Sequence, residues 1–153
     1  MEKVNLAVLG FLIGVVLTSA LFIQFSSFPK TTGNVILAPT GNIQNDNITV
    51  YADRIVIRVP NATISNYEPT GSMTPLIDSN AHGIRIVPRT EDEINIGDLV
   101  SFNMSGRMIV HRVVQKGQDS QGTFFVTRGD NNELNDEMIR FSDIEYKTIG
   151  ILY

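Results

Sequence analysis

Two hydrophobic patterns divide the chain. Residues 6–25 are an almost unbroken apolar run, and residues 4–29 carry no charged side chain. A run of that length crosses roughly 30 Å of hydrocarbon as a helix, so it predicts a transmembrane segment. From residue 48 the apolar residues come instead in short runs bounded by Gly, Pro, Asn and Asp, which predicts strands over 48–51, 54–59, 62–65, 83–88, 99–102, 108–114, 123–127 and 148–153. In the second of these Ile55, Ile57 and Val59 share one face, with Arg54, Val56 and Arg58 on the other. Ser105-Gly106 turns 99–102 back onto 108–114 as a hairpin. Residues 91–98 read as a polar connection, 117–122 as a polar loop, 128–132 as a tight turn, and 141–144 as one helical turn capped by Ser142. There is no long amphipathic helix and no internal repeat, so the fold class is mainly β: an antiparallel β domain behind one N-terminal transmembrane helix.

The division that follows is an anchor over 4–28, a stalk over 29–47 and an extracytoplasmic β domain over 48–153. The stalk is rich in Ser, Thr, Pro, Gly and Asn, with Val35-Ile36-Leu37-Ala38 as a short strand within it. A cleaved secretory leader is the competing reading of the N-terminus, since Thr18-Ser19-Ala20 offers small residues where a leader is cut. Against it, the apolar run continues through Leu21, Phe22, Ile23 and Phe25, and Met-Glu-Lys is a poor positive leader start. Lys3 and Lys30 flank the run on either side, so charge bias says little about orientation.

Composition removes several function classes. At 153 residues the chain holds one domain beside its N-terminus, and with a net charge of −4 and scattered Lys and Arg it has no basic stripe for nucleic acid. Zero Cys excludes disulfides, thiolate zinc sites and thiol nucleophiles, and His82 and His111 are too few for a histidine-rich metal site. Neither a metal nor a cofactor is expected.

The candidate chemistry starts at Thr70-Gly71-Ser72-Met73-Thr74-Pro75. Gly71 permits dihedrals other residues resist and Pro75 constrains its neighbour, which would present Ser72 as a nucleophile; as a hexapeptide alone it also reads as an ordinary surface turn. His111 sits among Ile109, Val110, Val113 and Val114 in a strand, either as a satisfied core histidine or as a general base held rigid by the sheet. His82 reads as a surface loop residue and a second candidate base. A serine–histidine pair works better when a carboxylate holds the second ring nitrogen, and Asp130 and Asp136 are both candidates, each also explicable as a turn residue. Thr70 could set its hydroxyl beside a developing oxyanion together with the Ser72 backbone N–H. Asp98 reads as the start of a strand.

Four boxes in order, Gly71-Ser72-Met73-x-Pro75, residues 97–102 (Gly-Asp-Leu-Val-Ser-Phe), residues 109–114 (Ile-Val-His-Arg-Val-Val) and residues 127–132 (Thr-Arg-Gly-Asp-Asn-Asn) with Asp136 following, resemble type I signal peptidase. The His in Val-His-Arg matches the archaeal and endoplasmic-reticulum branch, whereas the bacterial branch has a Lys there. The resemblance implies a signal-peptidase-like fold and a membrane-anchored serine endopeptidase, working outside the cytosol, that cuts signal peptides after small residues at −3 and −1. By position it implies Ser72 as nucleophile, His111 as base, Asp136 as the orienting acid and Asp130 as the second Asp of the box. It also implies signal-peptide-bearing proteins and the lipid bilayer as partners, with room for association with the secretion machinery. The spacer over 26–68 and an insertion over 76–93 depart from the family pattern. Two other readings keep the fold: a dedicated peptidase for a few surface proteins, and a non-catalytic β binding module on a stalk. Asn47, Asn61 and Asn103 head glycosylation sequons if the domain is exported.

Overall fold

The computed structural model describes residues 37–153. Nine strands follow in order: β1 Ile48–Val50, β2 Ile55–Ile57, β3 Thr63–Asn66, β4 His82–Ile86, β5 Leu99–Met104, β6 Arg107–Asp119, β7 Gly122–Arg128, β8 Met138–Arg140 and β9 Ile144–Leu152. Strands β1 and β2 make a hairpin of their own, and the other seven form one sheet in the order β3-β4-β9-β5-β6-β7-β8, antiparallel throughout. The mainly antiparallel β class is therefore correct. The apolar run at 6–25 lies outside the described residues; among those described, no helix is long and apolar enough to cross a membrane.

Both faces of the central strands are covered. Val100 and Phe102 of β5 join Ile94, Val113, Phe125, Ile139 and Ile144 in one core, while Leu99 packs with Met73, Ile77 and Ala81 in another. That two-sided burial is why residues 99–102 carry no exposed polar position. In β7, covered on one side, burial alternates through Thr123, Phe125 and Thr127.

One expected turn is present and several other elements differ from the sequence expectation. The Ser105-Gly106 hairpin forms, with φ of 53° and 81° at its two residues, the left-handed pair that a two-residue turn needs. Strand β6 does not stop at 114 but runs on to Asp119, and the expected loop at 117–122 shrinks to Ser120 and Gln121. Two of its residues fit the fold closely: Lys116 Nζ donates to the carbonyls of Glu91 and Ile94 at 2.9 Å each, and Gly117 leaves room for the Phe124 ring across the ladder. Residues 76–93, an apparent insertion, supply β4 and the buried Ile77 and Ala81, so they are part of the sheet and its core. His82 opens β4 instead of lying in a loop. Ser142 lies inside the turn Phe141–Asp143 and does not cap it; the Asp143 carboxylate accepts from the Arg140 N–H at 2.7 Å. Of the short strand expected at 35–38, residues 35 and 36 lie outside the described residues, and Leu37 and Ala38 are not in a strand: the Leu37 carbonyl accepts from the Arg112 side chain, and Ala38 presses against Gly97.

The stretch 91–98 is far from a simple polar connection, for Ile94 and Asp98 are both wholly buried. The Asp98 carboxylate meets Lys147 Nζ at 2.7 Å and accepts from the N–H groups of Asn95 and Thr40 at 2.8 and 2.7 Å. Lys147 also donates to the Glu93 carbonyl at 2.7 Å. Gly97, at φ +100°, lets the chain at Ala38 press so close that a Cβ would sit 2.3 Å from its carbonyl oxygen. Thus a buried, further hydrogen-bonded charge pair ties β9, the 91–98 connection and residues 37–40 together. Removing one partner strands a buried charge, so Lys147→Met is expected to cost about 3–5 kcal/mol of unfolding free energy, read from the denaturant midpoint at constant m-value.

Candidate active site

Ser72 lies on the loop between β3 and β4, where Gly71 takes a φ of +74°. The loop is held from within and from across the fold. Thr74 Oγ1 donates to the Gly71 carbonyl at 2.9 Å, the Ile77 N–H donates to the Met73 carbonyl at 2.9 Å, and the Met73 side chain is sunk in the second core. From the other side the turn after β7 grips it: the Asn131 N–H donates to the Ser72 carbonyl at 2.9 Å and Asn131 Nδ2 to the Gly71 carbonyl at 3.1 Å. Gly129 is required there, since a Cβ would come within 2.6 Å of the Ser72 carbonyl oxygen. Ser72 is half-buried and its hydroxyl lies 3.2 Å from Thr70 Oγ1, to which the Ser72 N–H also points at 3.5 Å.

His111 stands in β6 opposite Val100, its ring edge-on to Phe102 with centroids 6.4 Å apart. Its Nδ1 is 2.6 Å from Asp136 Oδ2. Thr127 Oγ1 donates to the same carboxylate oxygen at 2.7 Å, and the Asp136 N–H donates to the Thr127 carbonyl at 2.8 Å, so β7 fixes the acid from two directions. Burial pushes the Asp136 carboxyl up, but the hydrogen bonds from His111 and Thr127 and the attraction to the imidazole's positive form outweigh it, leaving the pKa below its ordinary value. An ionised Asp136 accepts only, which places the His111 proton on Nδ1 and leaves Nε2 as the basic nitrogen.

The two acids have different partners. Asp130 receives Arg112 in a bidentate pair, Nε to Oδ1 and Nη2 to Oδ2 at 2.7 Å each, with both side chains buried. Arg112 Nη1 donates further to the carbonyls of Gly97 and Leu37 at 2.8 and 3.0 Å. The structure thus brings His111 to Asp136 and Arg112 to Asp130. Ser72, Thr70 and His111 line one cleft of about 710 Å³ together with Tyr67, Glu68 and residues 106–110. Among the described residues, the Ser72 hydroxyl has its hydrogen bond with Thr70, not with the His111 ring. His82 is exposed, bonds Asn66 Oδ1 at 2.7 Å and is not among the residues lining the cleft. Among the described residues, no three His, Asp or Glu side chains are grouped so as to hold a metal ion.

Sequence reasoning missed Thr127 and Arg112. The signal for Thr127 was present: it falls on the buried phase of β7, where a hydroxyl needs a partner.

The chain is similar over short stretches to catalytic subunits of signal peptidase complexes. It is 45% identical over 49 residues to the signal peptidase complex catalytic subunit SEC11C of Homo sapiens, covering 30% of this chain and 26% of that protein. It is 33% identical over 69 residues to the catalytic subunit SEC11 of Scheffersomyces stipitis, 44% of this chain and 40% of the relative. To the sec11 subunit of Schizosaccharomyces pombe it is 33% identical over 66 residues, 39% and 35% of the two chains. These matches span between about a quarter and two fifths of the relatives' lengths. No family model matches the chain, and no solved structure matches it significantly.

The lowered Asp136 carboxyl has a consequence for stability against pH. Its contribution is complete above its ordinary value of 3.8 and is lost as pH falls through the lower folded value. Asp136→Asn is therefore expected to flatten the acid limb of the stability curve, measured by denaturation at a series of pH values; an unchanged slope would contradict the carboxylate's role.

Proposed function

We propose that this chain is a membrane-anchored serine endopeptidase of the signal peptidase type, held by residues 4–28 with the β domain on the outer side, cutting signal peptides after small residues. The observation that carries the reading is that His111, paired with Asp136 at 2.6 Å, lines the same cleft as Ser72, a serine on a loop gripped by the turn after β7. The similarity to signal peptidase catalytic subunits supports the substrate class. Support for the anchor comes from the uncharged apolar run alone.

In this mechanism Ser72 Oγ attacks the scissile carbonyl as its proton passes to His111 Nε2. Asp136 holds the ring by Nδ1–H and stabilises the imidazolium that forms. The carbonyl oxygen, now negative, takes hydrogen bonds from the Ser72 N–H and the Thr70 hydroxyl, which lie beside Ser72 Oγ in the resting site. His111 returns the proton to the leaving amine, leaving an acyl-enzyme on Ser72. Water, activated by the same imidazole, then releases the new carboxylate. Asp130 acts at one remove, since its pairing with Arg112 sets the turn that grips Ser72.

Ser72→Ala is expected to abolish cleavage of a leader with small residues at −3 and −1, a loss on the order of a millionfold in kcat. His111→Ala should cost at least about 10²- to 10⁴-fold. Both are assayed with reconstituted full-length chain whose melting temperature is checked in parallel. Activity that survives both substitutions with the fold intact would end the reading.

A further inference from the structure

The hairpin of β1 and β2 has no use in the site described above, yet it has an unusual surface. Its register sets Ile48 opposite Ile57 and Val50 opposite Ile55. Opposed residues share a face, as do residues two apart, so these four β-branched side chains form one apolar surface. That surface is open, with Val50 71% and Ile55 64% exposed, and Ile48 and Ile57 at 40% and 43%. No strand of the seven-stranded sheet pairs with the hairpin. A lone two-stranded hairpin is only marginally stable in water, so an ordered one with a bare apolar face calls for a cover.

Three observations identify the cover as a lipid surface. The first is its place in the chain. The 20-residue apolar run ends at residue 25, and Leu37, docked on Arg112, is no more than about 40 Å of extended chain further on. The second is the rim of the hairpin. Tyr51 and Arg54 pair across the turn at its tip, on the face opposite Ile55; Tyr51 is exposed and the Arg54 guanidinium lies 4.8 Å over its ring, the aromatic and long cationic types that sit at a bilayer–water boundary, here on the side turned away from the apolar face. The third is size and charge. Two three-residue strands are far short of the roughly 20–30 residues a side that a specific protein interface uses. Asp46 and Asp53 balance Arg54 and Arg58, leaving no net charge to select an oppositely charged partner. A weak contact suffices where a tether already supplies high local concentration.

We propose that the β1–β2 hairpin rests its apolar face in the interfacial layer of the bilayer, a second contact that limits how the β domain turns about its tether. This rests on the reading of residues 4–28 as an anchor. The contact is made by apolar burial, so it persists on zwitterionic lipid and in high salt.

Because the chain has no Cys, single labels can be placed cleanly. Full-length Val50→Cys and Ile55→Cys, with Ser120→Cys in the β6–β7 turn as a control, are labelled with an environment-sensitive dye and reconstituted in phosphatidylcholine vesicles. The expected result is blue-shifted emission at 50 and 55, quenched by nitroxide-bearing lipid and protected from iodide in low and high salt, with the reverse at 120. Labels at 50 and 55 that behave like the one at 120 overturn the proposal, and so do labels shielded from both quenchers, which indicates a protein cover. The two readings fail separately. Extraction of the chain from vesicles by alkaline carbonate sinks the anchor whatever the labels report, whereas a retained chain with water-exposed labels sinks the hairpin contact alone.

Discussion

Arg112 meets Asp130 through two parallel hydrogen bonds of 2.7 Å, with both side chains almost wholly out of water. A buried ion pair of this kind is costly to form and more costly to break, because either partner left alone is an unpaired charge in a low-dielectric interior. It therefore has little freedom to shift. Arg112 reaches the carbonyls of Gly97 and Leu37 with its remaining group, and Asp130 sits in the turn whose next residue holds the Ser72 carbonyl. The serine loop, the entry to β5 and the chain at residue 37 are all positioned from this one contact.

The strand that carries Arg112 also carries His111, and successive residues of a strand point to opposite faces. One goes to Asp130 and the next to Asp136, two acids of the same loop after β7. Adjacent positions thus form two separate pairs, Arg112 with Asp130 in the interior and Asp136 with His111, which lines the cleft. The pairing also shows why the two aspartates of the loop are not equivalent. Asp98 and Lys147 do comparable work one strand away, closing the sheet centre around residues 37–40.

Much of this is legible in the order of residues alone. Alternation and turn residues locate most strands, and the Ser105-Gly106 turn can be read because two positive φ values have few chemical solutions. Ser72, His111 and the acidic loop are recognisable as residue types in order. The departures have a common source. Gln115, Lys116 and Gln118 look like loop to a reader of polarity, yet β6 continues through them because Lys116 finds carbonyls and Gly117 admits the Phe124 ring. Residues 76–93 look like an insertion, yet they hold a sheet strand and two core residues.

By itself the sequence determined the β class, the division between an uncharged apolar run and a strand-rich domain, and the residue types available for chemistry. These follow from local periodicity and composition, which are properties of neighbouring positions. Which acid faces His111, where Thr127 and Arg112 act, and that residues 37–40 are bound into the fold were decided only by tertiary structure. Asp130 and Asp136 differ by six positions and carry the same carboxylate. What distinguishes them is the strand face each meets and the partner waiting there, and that depends on pairing between segments far apart in the chain.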